Sequence, residues 1–498
     1  MGLRVAFLAA ECEPWAKTGG LADVVDALAR ALGRLEEDDV EAPVDVFLPR
    51  YRAVPEPSPA SIVGERTHLV PDPRARTGSS AVRIVDVAAD GYRLRLVDHA
   101  AAFDRDGFYG DSKGDFADNA WRFGLFSRAA LETLRTDERP LDVLHIHDWH
   151  AAPAAILRET HLSDDPIVGR AALVHTLHNL AYHGWTPRDR LGELGLRPGD
   201  GVVPTDAKGL DLLQAGIERA EIVNTVSPGY AAEVLTPAFG MGLDGTLRGL
   251  GDRFIGILNG LDNEVWDPAT DVDLVANYSR ADRSGKGACR ADLLARVGFD
   301  PTDVGPVIGL IGRLDPQKGF DLLAGATPTL IQLGARVIAL GSGQPELAKT
   351  FQQLSIERPR QVALLERFDR AMARKIYAGV DLFTMPSRFE PCGQGQMIAL
   401  RYGTPPIVHR TGGLGDTVID ETSSPGRGTG FVFDDPSPAS LVDACEKAFA
   451  LRSGPGGPWD ALLDRGMAVD FDWVEGSAPR YVDAYRRAVA LRAERLAV

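Results

Sequence analysis

Short, nearly continuous apolar runs recur along this chain, and each ends in a polar or glycine-bearing turn that leads into a stretch of helical spacing. Residues 3–9, 44–48, 141–146, Ala172–Leu177, 222–226 and 254–258 form one series. Val307–Ile311, 337–340, Val362–Leu365, Leu382–Met385 and 406–408 form a second. A strand apolar on both faces belongs inside a parallel sheet with helices on either side, so the pattern predicts doubly wound α/β layers. The alternation restarts after residues 262–273, a stretch that contains Pro268 and reads as a crossover between domains. Only residues 55–102 break the rhythm, with short strands and Pro-rich turns.

The chain has 498 residues, too many for one core, so two domains are expected. Its net charge of -16 argues against nucleic acid or an anionic membrane as partner, because both need a basic face. Cys12, Cys289, Cys392 and Cys445 lie far apart without metal-ligand spacing, which suggests a reducing compartment. The first apolar run is too short for a signal peptide and is interrupted by Glu11 and Glu13, and no run reaches membrane-spanning length. A cytoplasmic protein is expected. Segments 120–134, 371–377, 441–450 and 480–498 have helical spacing. The last carries Val482, Tyr485, Val489 and Leu496 as an apolar stripe that must be buried.

Ligands of open α/β sheets sit at the carboxyl ends of strands, so the residues found there are the candidates. After the first strand comes Lys17-Thr18-Gly19-Gly20, whose glycines would let backbone amides approach a phosphate; a plain turn is the alternative. It is neither a Walker A loop nor a GxGxxG fingerprint. His147-Asp148-Trp149-His150 ends a strand on which His145 and His147 share a face. That spacing permits a metal, but a further ligand is lacking, and ligand contact is the simpler reading. His178-Asn179 ends another strand. In the second series Arg313 and Lys318 follow a strand and suit a diphosphate; alone they would read as surface cations. Glu390 follows another strand and precedes the sharp turn Pro391-Cys392-Gly393 and a helix. It is either a helix-start acid or a carboxylate for a sugar whose anomeric carbon becomes cationic. Thr411-Gly412-Gly413-Leu414 closes this stretch and echoes Thr18-Gly19-Gly20-Leu21, although so short a string can recur by chance.

These strings fall in a familiar order. KTGGLADV from Lys17, HDWHA from His147, HNLAYHG from His178, VSPGYAAEVLTP from Val226, GILNGLDNEVWDP from Gly256, GRLDPQKG from Gly312, SRFEPCG from Ser387 and RTGGLGDTV from Arg410 resemble bacterial glycogen synthase and plant starch synthase along nearly the whole chain. The resemblance implies a retaining glycosyltransferase of the GT-B fold: two Rossmann-like doubly wound domains facing an interdomain cleft, with a C-terminal helix crossing back to the N-terminal domain. The implied ranges are 1–253 with 471–498 for the N-terminal, acceptor-side domain and 254–470 for the C-terminal, donor domain. The implied reaction moves glucose from ADP-glucose to the non-reducing end of an α-1,4-glucan and releases ADP, with no cofactor and no metal. Carried over by motif, the catalytic group is Glu390, Arg313, Lys318, His178 and Asp148. Donor contacts would come from Lys17, Gly19, Gly20, Arg313, Lys318, Phe368 against adenine, Glu390, Cys392, Gly393, Thr411, Gly412, Gly413 and Leu414.

Two departures stand out. The family usually continues EPCG with Leu-Thr-Gln, where this chain has Gln394-Gly395-Gln396, so a hydroxyl expected beneath the phosphates is missing; Gly415 also replaces a usual Ala. A UDP-glucose donor and an inactive glucan-binding regulator remain alternatives. A glycogen-type phosphorylase would need a longer chain and a pyridoxal phosphate lysine, and a nicotinamide dehydrogenase would want GxGxxG.

Overall fold

The computed structural model describes residues 2–112, 114–197, 199–455 and 457–497. Met1, Lys113, Pro198, Gly456 and Val498, which the sequence-based ranges include, lie outside the described residues. The chain divides into two compact units. One comprises Met1–Val226, Ala231–Gly260 and Trp473–Val498; the other comprises Ser227–Tyr230 and Leu261–Asp472.

The first unit is built on a nine-stranded sheet. Its strands are β1 (Val5–Leu8), β2 (Val44–Pro49), β3 (Ile62–Pro71), β4 (Ser79–Ala88), β5 (Tyr92–Asp98), β6 (Val143–His147), β7 (Ala172–Leu177), β8 (Ile222–Thr225) and β9 (Phe254–Gly256). They lie in the order β9-β8-β7-β6-β1-β2-β5-β4-β3. All pairs are parallel except β3 with β4 and β4 with β5. β1, β2, β6, β7 and β8 are buried throughout, as their unbroken apolar character requires. Residues 55–102 differ from the expected short strands, because β3 and β4 each run for ten residues. β3 alternates partly buried with exposed positions, the signature of an edge strand covered on one side, and this period-two signal was hidden among the prolines.

β9 pairs with β8 in this sheet, so the first unit reaches beyond the expected boundary at residue 253. The helix Ala478–Ala497 also belongs here, burying Tyr481, Val482, Tyr485 and Ala488. Leu496, assigned to the buried stripe, is 48% exposed: the helix outruns the surface it packs on.

The second unit holds β10 (Val307–Ile311), β11 (Arg336–Leu340), β12 (Val362–Leu365), β13 (Leu382–Met385), β14 (Pro406–His409) and β15 (Phe431–Phe433). They form an all-parallel sheet in the order β12-β11-β10-β13-β14-β15. Counted within the unit this is 3-2-1-4-5-6, the dinucleotide-fold order, whose direction reverses between β10 and β13. In the first unit the reversal lies between β1 and β6. Crevices open at the carboxyl ends of such strand pairs, because the following helices leave on opposite faces.

Candidate active site

Arg313 and Lys318 follow β10, and Glu390 follows β13, so the three residues flank the second unit's reversal point. Asp315 caps the short turn Pro316–Lys318 by accepting from Lys318 N at 3.0 Å. Gly319 then adopts a φ of +71°, and a Cβ there would fall 2.1 Å from Pro386 O. Only glycine permits that approach, which presses Lys318 against the end of β13. Lys318 Nζ donates to both carboxylate oxygens of Glu390, at 2.9 and 2.6 Å, and Ser387 Oγ donates to Oε2 at 3.1 Å. Glu390 is 5% exposed, so its charge is balanced where water is scarce. An ammonium has three N–H groups, and Glu390 engages two acceptors' worth of them. The Arg313 guanidinium leans on Asp315 at 3.3 Å and Gln317 at 3.4 Å, with its side chain 59% exposed. Phe368, just past β12, is 82% exposed, an aromatic face with nothing packed on it that protects it from water.

The Thr411–Leu414 turn packs directly under this group. Gly412 has φ +42°, and its Cβ would lie 2.1 Å from Glu390 O; a Cβ on Gly413 would lie 2.3 Å from Cys392 O. Gly413 N donates to Glu390 O at 3.2 Å. Gly393 has φ +74°. Gln396, fully buried, donates from Nε2 to Cys392 O, Gly393 O and Thr417 Oγ1, each at 3.1 Å, and so staples the two turns together. Gly395 changes one expectation. A Cβ there would point at Phe383, Met385 and the Tyr377 hydroxyl, at 3.0, 3.1 and 3.3 Å. The position faces the apolar packing beneath the helix, where its neighbours already close in on the space a side chain would take.

In the first unit the Lys17–Gly20 turn has a partner that sequence reasoning missed. Glu11, buried, accepts from Thr18 N at 2.6 Å, Gly19 N at 3.1 Å, Thr18 Oγ1 at 2.6 Å and the Tyr109 hydroxyl at 2.6 Å. The amide of Gly19, a residue assigned to the phosphate side, and that of its neighbour Thr18 are therefore held by the protein itself. Gly19 has extended backbone, and a Cβ on either Gly19 or Gly20 would meet nothing within 4 Å. Lys17 Nζ pairs with Asp23 at 2.5 Å and Glu13 at 3.1 Å; burial opposes its charge, yet these carboxylates hold its pKa above the usual lysine value. Glu11 could have been found from its place at the end of β1, the reversal strand.

At the end of β6, Asp148 takes a positive φ of +54°. Its Oδ1 accepts from His178 N at 2.7 Å, and burial pushes its carboxyl up to about 7. His178 Nε2 lies 3.0 Å from His147 Nδ1. Burial holds both imidazoles neutral, His178 down to about 3 and His147 well below its ordinary value. His145 shares the strand face with His147 as expected, their rings 4.2 Å apart, but it bonds Tyr485 OH at 2.9 Å and Thr176 Oγ1 at 2.6 Å. Among the described residues no group of three or more His, Cys, Asp or Glu side chains is placed to hold a metal ion.

Residues 4–249 match the family model described as starch synthase catalytic domain, and residues 305–450 match that of glycosyl transferases group 1. The chain is 39% identical over 494 residues to a glycogen synthase of Syntrophotalea carbinolica, covering 98% of this chain and 99% of that one. The chain belongs to the glycogen and starch synthase family. A second family member, a glycogen synthase of Koribacter versatilis, is 40% identical over 496 residues, 99% of each chain. The catalytic domain of starch synthase IV from Arabidopsis thaliana, solved with ADP and acarbose bound, is 34% identical with a TM-score of 0.87 over 98% of this chain and 100% of that one. The synthase family's GT-B fold is thereby this chain's fold, and the chain is a glycosyltransferase. A sucrose-phosphate synthase of Thermosynechococcus elongatus shares the fold alone, at 18% identity and a TM-score of 0.59 over 98% of this chain and 99% of that one. Among the described residues no helix of this synthase is long and apolar enough to cross a membrane.

Proposed function

We propose that this synthase transfers glucose from ADP-glucose to the non-reducing end of an α-1,4-glucan, retains the anomeric configuration and releases ADP in the cytoplasm. The observation that carries the reading is the Glu390 carboxylate clasped by Lys318 and Ser387 beside a half-open Arg313, all at one reversal point. As the bond from the glucose anomeric carbon to the diphosphate breaks, positive charge builds on the sugar and negative charge on the leaving oxygen. Arg313 and the remaining N–H of Lys318 meet the second, and Glu390 meets the first through the sugar. Phe368 offers its face to adenine, and the turns at Cys392–Gly393 and Thr411–Leu414 offer backbone donors. In the first unit we assign Asp148 and His178 to sugar hydroxyls, and Lys17 with Gly19 and Gly20 to the donor's phosphate side. The open space over both glycines supports that assignment, since the fold itself does not require them. No cofactor enters this scheme.

The ADP and acarbose bound by the Arabidopsis relative support an adenine nucleotide as donor carrier. A donor panel with glycogen as acceptor tests the reading. Turnover with ADP-glucose should exceed that with UDP-glucose, and the new linkage should be α-1,4 by NMR. Preference for UDP-glucose, a β linkage or no transfer would each overturn it.

A further inference from the structure

The hydrogen shared by His147 and His178 has two possible owners, and the surroundings choose between them. His147 Nδ1 and His178 Nε2 are 3.0 Å apart, and both rings are neutral. One nitrogen must donate and the other accept. If His178 donated, His147 would carry its hydrogen on Nε2. That nitrogen is fully buried, with no hydrogen-bond partner among the described residues. Orphaned buried N–H groups are the rarest kind of unpaired polar group, because a donor left without acceptor forfeits its whole hydration. If His147 donates instead, its Nε2 is a bare lone pair among rings, with Phe7 at 5.2 Å and His145 at 4.2 Å between centroids.

His145 cannot relieve that nitrogen. Thr176 spends its one hydroxyl hydrogen on Asn224 Oδ1 at 2.8 Å, so Thr176 Oγ1 accepts from His145 Nε2, and Tyr485 OH donates to His145 Nδ1. Every polar atom of the His145 ring is thereby committed.

We propose that His147 is a positioning residue that fixes the tautomer of His178, donating from Nδ1 so that His178 carries its own hydrogen on Nδ1 as a neutral donor. His178 Nδ1 has no hydrogen-bond partner within the described protein, and the residue keeps 9% exposure. His178 therefore presents an N–H, never a bare nitrogen, to an oxygen of the bound sugar. The link to sugar rests on the function proposed above; the tautomer does not.

The test is ¹⁵N NMR of the full chain with labelled histidines, followed by donor kinetics. Wild type should show His178 with hydrogen on Nδ1. His147→Asp puts an acceptor in place of the donor, and His178 should then carry a hydrogen on Nε2, turned toward that carboxylate. kcat/KM for the donor should then fall roughly tenfold, the worth of about one hydrogen bond. His147→Asn, whose amide nitrogen can sit near the place of Nδ1, should restore both the Nδ1–H signature and most of the rate. An Nε2–H tautomer of His178 in wild type overturns the proposal, as does a His178 with no hydrogen on Nε2 in His147→Asp. If the tautomers behave as stated while no donor is turned over, the functional reading fails and the role of His147 stands.

Discussion

A buried carboxylate and a lysine bonded through both oxygens define the site at the residue scale. Glu390 is 5% exposed, so removing its partner would strand a charge out of water. Lys318→Ala should therefore cost roughly 3–5 kcal/mol of stability in the second unit as well as weakening ADP binding, read by denaturant melts and titration calorimetry. Unchanged stability would contradict the burial of that carboxylate. Arg313→Ala, which strips an exposed guanidinium, should leave stability within about 0.5 kcal/mol while raising the donor KM. The positions of Arg313, Lys318 and Glu390 were legible because all three stand just past strand ends. Ser387 was not, because its work is to hold another group and a lone hydroxyl in sequence carries no mark of that; Glu11 was marked only by its place just past β1.

Elements explain why the same short string serves twice. In the second unit the Thr-Gly-Gly turn needs both glycines, since side chains would strike Glu390 O and Cys392 O. In the first unit neither Gly19 nor Gly20 is crowded or in the left-handed region. Gly412→Ala should thus lower the melting temperature and kcat together. Gly20→Ala should leave the melting temperature unchanged and raise the donor KM. Equal behaviour of the two variants would contradict this reading of the echo. Gly395→Thr should cost about 1–3 kcal/mol by overpacking against Phe383 and Met385. Strands β1, β2, β6 to β9 and β10 to β14 were readable from their apolar runs, whereas β15, three residues long, was not. The strands between residues 62 and 98 were not readable at their true length: one-sided burial gives β3 only an alternation, and charged residues such as Asp86 and Arg95 interrupt the buried runs of β4 and β5.

Over the whole molecule the titratable load is uneven. Nine of the ten histidines belong to the first unit, and only His409 lies in the second. Burial lowers the pKa of His145, His147, His150, His175 and His178, with His175 down to about 4. A depressed histidine contributes stability that is present above its unfolded value near 6.5 and is lost as pH falls toward the folded value. Each adds a slope of about 1.4 kcal/mol per pH unit in that window. Asp148 acts in the opposite sense: its raised pKa favours the folded state at low pH, a contribution lost as pH rises through about 7. Five depressed groups outweigh one raised one, so the first unit should loosen first on acidification. Hydrogen exchange at pH 5 against pH 7.5 should show protection lost around β6 and β7 before β10 and β13; the reverse order would contradict the burial of those imidazoles. The two-unit organisation was visible in the restart of the strand pattern, whose crossover at residues 262–273 falls where the second unit resumes at Leu261; only the range implied by the resemblance, ending at residue 253, cut off β9.

The central claim is that Glu390 serves the transferred sugar while Lys318 and Arg313 serve the diphosphate. Measuring kcat and ADP affinity on the same preparation of Glu390→Ala tests it most directly. The account predicts a kcat lowered by roughly three orders of magnitude or more, with ADP bound as tightly as by wild type or tighter, because Lys318 is released from its carboxylate. A near-normal kcat, or ADP affinity lost in step with the rate, would contradict it.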